Sequence, residues 1–251
     1  MMSNPKIEAV LLDLDDTLLG NDVDQFLQGY FTRLGRYAAQ VMPPDKFHEA
    51  LMASTEATIR STDTAVTNND VFWINFERLT GLNPAEMEPF FRRFYEEQFP
   101  LLVDATYPRA AAAPLVQTCL DAGVAVVVAT NPLFPQIAIE QRLEWAGVPV
   151  TSYPFALVTT LENMHAAKPN PAYYLEIARR LDVAPETAVM VGDDWENDIV
   201  PAHAVGMRTF WIEDGTPPQD PGLLAGAGAL DDFYEMVASG WLENPAASPS
   251  V

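Results

Sequence analysis

From about residue 105 onward, the hydrophobic and polar positions of the chain repeat one order: a helical pattern, a glycine, then a short apolar or β-branched run. The order recurs in "LVQTCLDAGVAVVVAT", "IEQRLEWAGVPVTSY" and "PAHAVGMRTFWI". Gly123, Gly147 and Gly206 stand where a helix ends in a left-handed residue, a conformation that costs glycine nothing sterically. A further strand-length run, "AVMVG", follows another helical stretch. Helices alternating with such runs predict a parallel sheet with helices on its faces. "VAVVVA", Val124 to Ala129, has no polar alternation, as a central parallel strand buried on both faces should not. Near the N-terminus, "IEAVLLDLDDTLLG", Ile7 to Gly20, supplies one more apolar run of strand length, and it stops abruptly in three aspartates.

Between that run and residue 105 the texture changes to amphipathic helical patterns with no convincing strand. "DQFLQGYFTRLGRYAAQVM", "VFWINFERLTG" and "NPAEMEPFFRRFYEEQF" are three of them; in the last, Asn83 is placed to cap the helix and Pro84 to occupy its first position. Phe72, Trp73 and Phe76 lie at helical spacing and are expected in a core, while Arg92 and Arg93 are expected on a solvated face. The fold class expected is therefore α/β: a doubly wound, Rossmann-like parallel sheet core from residues 1–21 and 105–251, with an all-helical subdomain, 22–104, inserted. The C-terminal "ENPAASPSV" is small, polar and proline-rich and is expected to be disordered.

Composition narrows the function classes. At 251 residues the chain can bury a large core, and 49% hydrophobic content is that of a folded soluble protein. No apolar window approaches the length of a membrane span and the first residues lack signal-peptide architecture, so a cytoplasmic location is expected, with no membrane partner. Cys119, the only cysteine, excludes an internal disulfide and falls in a helical apolar pattern as core filler. A formal net charge of −21, from 35 acidic against 14 basic side chains, opposes binding to nucleic acid or an anionic surface. Solubility accounts for most of that charge, and a monomer or weak dimer is expected. What it leaves unexplained is where a few carboxylates sit.

In a parallel sheet, reactive groups gather at the carboxyl ends of the strands. Asp13, Asp15, Asp16 and Thr17 follow the first run; Thr130 and Asn131 follow "VAVVVA"; Gly192, Asp193, Asp194, Asn197 and Asp198 follow "AVMV". Lys168 precedes "PNPAYYLEIARRL" and so stands at the start of a helix. Carboxylates so crowded repel one another unless a hard cation held by oxygen ligands absorbs the charge. Mg²⁺ is the natural candidate, being held by one or two carboxylates, waters and a substrate phosphate. In extended chain Asp13 and Asp15 face the same side.

"DLDDTLL", "VVVATN", "KPNPAYY" and "VGDDWENDI", in this order and with helical sequence inserted after the first, resemble the four motifs of the haloacid dehalogenase-like hydrolases, a superfamily composed mostly of aspartyl-phosphate phosphatases. The resemblance covers about residues 5–20 and 105–215; the helical segment matches that family's cap in position and type only. It implies Asp13 as the nucleophile that becomes an aspartyl phosphate and Asp15 as general acid, then base. It makes Thr130 and Asn131 phosphoryl-oxygen ligands and Lys168 the cation that neutralises the transferring group. It implies Asp13, Asp15 and Asp193 as the Mg²⁺ site. Asp198 then holds Lys168 or a metal-bound water from behind, with Thr17 also behind, and Asp194 is able to exchange roles with Asp193.

The activity implied is Mg²⁺-dependent hydrolysis of a small-molecule phosphate ester. A halide-releasing enzyme of the family lacks the second aspartate, which is present here as Asp15, and a phosphonate-cleaving enzyme needs a cap lysine, for which Lys46 is unconvincing. A phosphomutase shares Asp13 and Asp15; a catalytically silent metal-binding module would be expected to lack one of the motif residues. Asp16, at a position where the family often has glycine, is expected to be solvated or capping, and His165 to be an unengaged loop residue. Trp195 either packs over the site or covers the helix.

Overall fold

The computed structural model describes residues 5–213 and 220–245. Six parallel strands form the central sheet: β1 (Ala9–Leu12), β4 (Ala125–Val128), β5 (Leu157–Val158), β6 (Ala188–Gly192), β7 (Arg208–Ile212) and β8 (Gly226–Gly228), in the order β5-β4-β1-β6-β7-β8. The remaining two strands, β2 (Leu19–Asn21) and β3 (Thr106–Pro108), pair antiparallel outside this sheet. Every residue of β1 and β6 is buried, so neither strand shows alternation. Their two faces carry different covers all the same. Val10 and Leu12 join the cluster of α5 (Ala112–Asp121), α6 (Gln136–Trp145) and α9 (Leu230–Ala238), whereas Ala9 and Leu11 join that of α7 (Pro171–Leu181) and α8 (Val200–Ala204). Each fully buried leucine contributes about 1.5–3 kcal/mol. β1 lies between β4 and β6, so the crossovers leave it in opposite directions and open a crevice at the strands' carboxyl ends.

The helix ends match the glycine pattern: Gly123, Gly147 and Gly206 have φ of 74°, 78° and 94°. The run after Gly147 does not form the strand expected in "VPVTSY". Pro149 lacks a backbone donor and its carbonyl accepts the N–H groups of Ser152 and Tyr153, closing a turn; the strand comes later, as Leu157–Val158 beside β4. Cys119 is fully buried, and burial pushes its thiol up to about 12.

Between β2 and β3 the chain is helical: α1 (Val23–Ala38), α2 (Pro44–Arg60), α3 (Asn68–Thr80), α4 (Pro84–Glu97) and a 3₁₀ turn, Phe99–Ala105. Asn83 accepts the Ala85 N–H and caps α4, with Pro84 in the first turn. Phe76, Phe94 and Phe99 anchor a separate aromatic core; Trp73 is buried with them, and Phe72 stacks on Phe76 at 5.7 Å. Arg92 is exposed beside Glu96 and also borders a cavity within the inserted helices. Among the described residues no helix is long and apolar enough to cross a membrane. Of the C-terminal tail expected to be disordered, residues 246–251 lie outside the described residues.

Candidate active site

Leu12 is in register with Val128 on one side and Val191 on the other, so three strands release the chain at one level. Asp13 follows immediately, its N–H donating to the Val191 carbonyl at 2.9 Å. Carboxylate oxygens of Asp13, Asp193 and Asp198 all lie within 4.8 Å of one another. Burial, and then mutual repulsion, holds the carboxyls of Asp13 and Asp193 above the usual range, Asp193 up to about 7.

Lys168 comes to this cluster from the loop before α7. Only 2% exposed, its ammonium donates to Asp13 Oδ1 at 2.7 Å and to Asp198 Oδ1 at 2.5 Å. Burial works against the charged amine, but the two carboxylates outweigh it and hold its pKa well above the usual lysine range. The other oxygen of Asp198 accepts the Asp194 N–H at 3.1 Å, so both its oxygens have protein donors. Gly192 makes room for it: a Cβ there would stand 2.1 Å from Asp198 Oδ2.

Thr130 is buried at the end of β4, and its backbone carbonyl is fixed by Thr159 Oγ1 at 2.8 Å and the Tyr173 hydroxyl at 2.9 Å. Its hydroxyl makes no hydrogen bond among the described residues. Among the described residues Asn131 Oδ1 is buried with no partner. The two tyrosines of "KPNPAYY" thus support the site from below: Tyr173 holds the Thr130 loop, and the Tyr174 hydroxyl donates to the Asn197 carbonyl.

Asp15 is not carried on extended chain, contrary to expectation. The chain turns after Leu12, with Leu18 and Leu19 N–H donating to the Leu14 carbonyl and Asp16 in the left-handed region at φ 54°. The Asp15 carboxylate instead pairs with Arg142 and accepts from Asn21 Nδ2 at 3.1 Å. Asp16 caps the turn by accepting the Asn21 N–H at 3.1 Å. Thr17 is buried and donates to Asp193 Oδ1 at 3.3 Å.

Asp193 and Asp194 separate cleanly. Asp194 is exposed, and its carboxylate accepts the N–H groups of Glu196 and Asn197 and the Asn197 side chain, capping the turn Trp195–Ile199. His165 is engaged, contrary to expectation: its Nδ1 is 2.8 Å from buried Glu176, which also accepts the His165 N–H and binds Arg180, fixing the loop that leads to Lys168. Trp195 packs edge-on against Trp211 at 5.3 Å, and the Trp211 indole N–H donates to the Asp193 carbonyl at 3.0 Å.

Three residues had no place in the sequence reasoning: Arg142, Thr159 and Asn68. Arg142 had a signal, since it shares the buried stripe Ala138, Ile139, Arg142, Leu143 on α6. Asn68, at the start of α3, is buried and donates from Nδ2 to the Ala166 carbonyl at 3.1 Å, while its N–H donates to Met164 O at 2.7 Å; it ties the inserted helices to the lysine loop. A cavity of about 760 Å³ lies in the inserted helices, with walls of Tyr30, Phe72, Trp73 and Phe91 closed on the sheet side by Leu133 and Phe134. It adjoins the loop after Asn131 rather than containing the acids.

The donor set fits a hard divalent cation. Asp13 and Asp193 offer carboxylate oxygens not already used by Lys168 or Thr17, and the surplus negative charge around them is what such an ion offsets.

The model of the haloacid dehalogenase-like hydrolases matches residues 7–206. A phosphoserine phosphatase of Thermus thermophilus is 32% identical over 134 residues, 53% of this chain and 48% of that protein, so the match spans about half of the relative's length. The crystal structure of a HAD phosphatase from Thermococcus onnurineus aligns with a TM-score of 0.59 at 22% identity, covering 92% of this chain and 98% of that one. The 2-haloacid dehalogenase of Pseudomonas syringae aligns with 0.61 at 23% identity, covering 94% and 99%. Two different chemistries share this fold at similar distance, so the fold alone does not choose between them.

Proposed function

This chain belongs to the haloacid dehalogenase-like hydrolases, and we propose that within them it is a Mg²⁺-dependent phosphatase acting on a small phosphate ester through an aspartyl phosphate on Asp13. The observation that carries this reading is the convergence of Asp13, Lys168 and Asp193 from separate loops at one sheet edge, with Asp15 two residues beyond the nucleophile. The similarity to a phosphoserine phosphatase points the same way.

In the first half-reaction an Asp13 oxygen attacks phosphorus while the ester oxygen leaves with a proton from Asp15. In the second, water attacks phosphorus, gives its proton to Asp15 and releases the Asp13 carboxylate. The Thr130 hydroxyl, without a hydrogen bond among the described residues, and the Asn131 backbone N–H bind phosphoryl oxygens, and Lys168 neutralises charge on them and on Asp13. Asp13, Asp193 and the Asp15 backbone carbonyl would hold Mg²⁺, with Asp198 and Thr17 fixing their neighbours; when bound, the ion supplies positive charge against the developing phosphoryl charge. The helices of residues 22–104 act as a cap that limits water to the one molecule hydrolysis needs. Asp15 speaks against halide release, which dispenses with a second acid.

The test is phosphate release from a panel of small phosphate esters, with Mg²⁺ and with chelator, using Asp13→Asn protein as control. Release lost in both controls supports the reading. Release indifferent to both contradicts it, and isomerisation of a phosphorylated sugar without release would identify a mutase.

A further inference from the structure

We propose that Arg142 is a positioning residue for Asp15, setting the carboxylate that exchanges the proton with the leaving oxygen; the inference rests on the phosphatase reading above. Arg142 is 1% exposed. A guanidinium so buried is costly unless it is paired, and among the described residues Asp15, 127 positions earlier, is its one ion-pair partner. The rest of its setting is sparse. Its Nε makes a long contact of 3.4 Å to the Ala138 carbonyl, its Cζ lies 4.5 Å from the Phe134 ring centroid, and one terminal nitrogen is buried without a partner among the described residues. The helix thus buries a charge whose strong contact is with the acid of the first motif.

The pairing has a consequence for orientation. Arg142 takes Asp15 Oδ2 while Asn21, the last residue of β2, donates to Oδ1 at 3.1 Å, so both oxygens are held and the carboxylate cannot rotate freely. Both clamps stand at junctions with the inserted helices: Asn21 leads into α1, and α6 contacts α4 and the 3₁₀ turn Phe99–Ala105. In the reaction, Asp15 gives its proton as the bond from phosphorus to the ester oxygen breaks and the bond to Asp13 forms. It regains a proton from water as the new phosphorus–oxygen bond forms and the acyl phosphate breaks. Only the first transfer depends on the leaving group, so a misplaced Asp15 harms substrates in proportion to how much their leaving oxygen needs that proton.

That dependence separates positioning from mere structure. Phosphate release is measured for the Arg142→Met and Arg142→Lys proteins with p-nitrophenyl phosphate, whose leaving group departs with little help, and with an alkyl phosphate that the unaltered protein hydrolyses. Arg142→Met is expected to lower kcat for the alkyl ester by about 100-fold, within the span of general acid catalysis, and for the aryl ester by less than about 10-fold, with Arg142→Lys between. In the Asp15→Ala background, Arg142→Met should cost nothing further on the alkyl ester. Equal losses on the two esters, or additive losses in the double variant, overturn the inference while leaving the phosphatase reading intact. If Arg142→Met does not yield folded protein, Asn21→Ala carries the same comparison, with the alkyl ester again expected to suffer more and equal losses again overturning it. An unaltered protein that releases phosphate from neither ester overturns the phosphatase reading and this inference with it.

Discussion

Lys168 and Asp13, 155 residues apart in the chain, meet with Nζ 2.7 Å from Oδ1 in a setting where both are nearly inaccessible to solvent. Two buried carboxylates and the half-buried Asp193 share the neighbourhood with one ammonium, so ionising all three leaves a negative surplus that protons or a further cation must offset. That imbalance is the physical signature of the site, and it makes each member testable.

Lys168→Met removes the ammonium and leaves Asp13 and Asp198 buried and unpaired. Stripping one partner from a buried pair costs about 3–5 kcal/mol, so urea unfolding should show a loss of that order. Phosphate release should fall by about 100-fold or more, since the cation that steadies the transferring group is gone.

Gly192→Ala is a small change with a large expected effect. The new Cβ would stand 2.1 Å from Asp198 Oδ2 and 2.8 Å from its Cβ, so the carboxylate must leave its place between Lys168 and the Asp194 N–H. Overpacking of this kind costs about 1–3 kcal/mol. Activity should fall by more than the stability loss explains, in a protein whose circular dichroism spectrum is unchanged.

Asp193→Ala and Asp194→Ala should part company despite being neighbours. Asp193 faces Asp13, so its loss should abolish the Mg²⁺ requirement together with turnover. Asp194 caps a turn, and its removal should cost about 1 kcal/mol of stability while Mg²⁺ still activates. Titration calorimetry with Mg²⁺ on the two variants checks the difference.

Stability should also depend on pH in a way the cation reverses. Burial and then Asp198 hold the Asp193 carboxyl up to about 7 in the folded protein, against about 4 for an unfolded aspartate. A raised folded value means the folded state binds more protons in between, so the contribution is full below about 4 and is lost as pH rises through about 7. The Asp13 and Asp198 carboxyls are displaced in the same direction. In chelator, Tm should therefore drop between pH 4.5 and 7.5 more steeply than in Asp193→Asn protein, and Mg²⁺ should restore it most at the upper end. A Tm profile identical in the two proteins would contradict this account.

The sheet was legible because parallel strands buried on both faces write themselves as apolar runs between glycine-ended helices, as in "VAVVVA". The VPV run after Gly147 misled because β-branched residues flank a proline that closes a turn instead. α2 left a faint trace, since its buried face is Phe47, Ala50, Ser54 and Thr58, half of it polar. At the site, the residues at strand ends could be found by position, whereas the direction of a side chain in a turn could not. The left-handed backbone at Asp16 and the pairing of Asp15 with a residue on α6 depend on tertiary contacts that no local pattern encodes. His165 looked idle for the same reason: its partner Glu176 lies on the buried face of α7, one of a stripe with Tyr173 and Ile177.

The central claim is that Asp13 carries the phosphoryl group between the two half-reactions, and the most direct measurement is acid quenching during turnover followed by peptide mass spectrometry. One phosphoryl group on the peptide containing Asp13, labile to hydroxylamine and absent from Asp13→Asn protein, is the result expected. Phosphate release at an undiminished rate with no modified Asp13, or with the group on another residue, would contradict it.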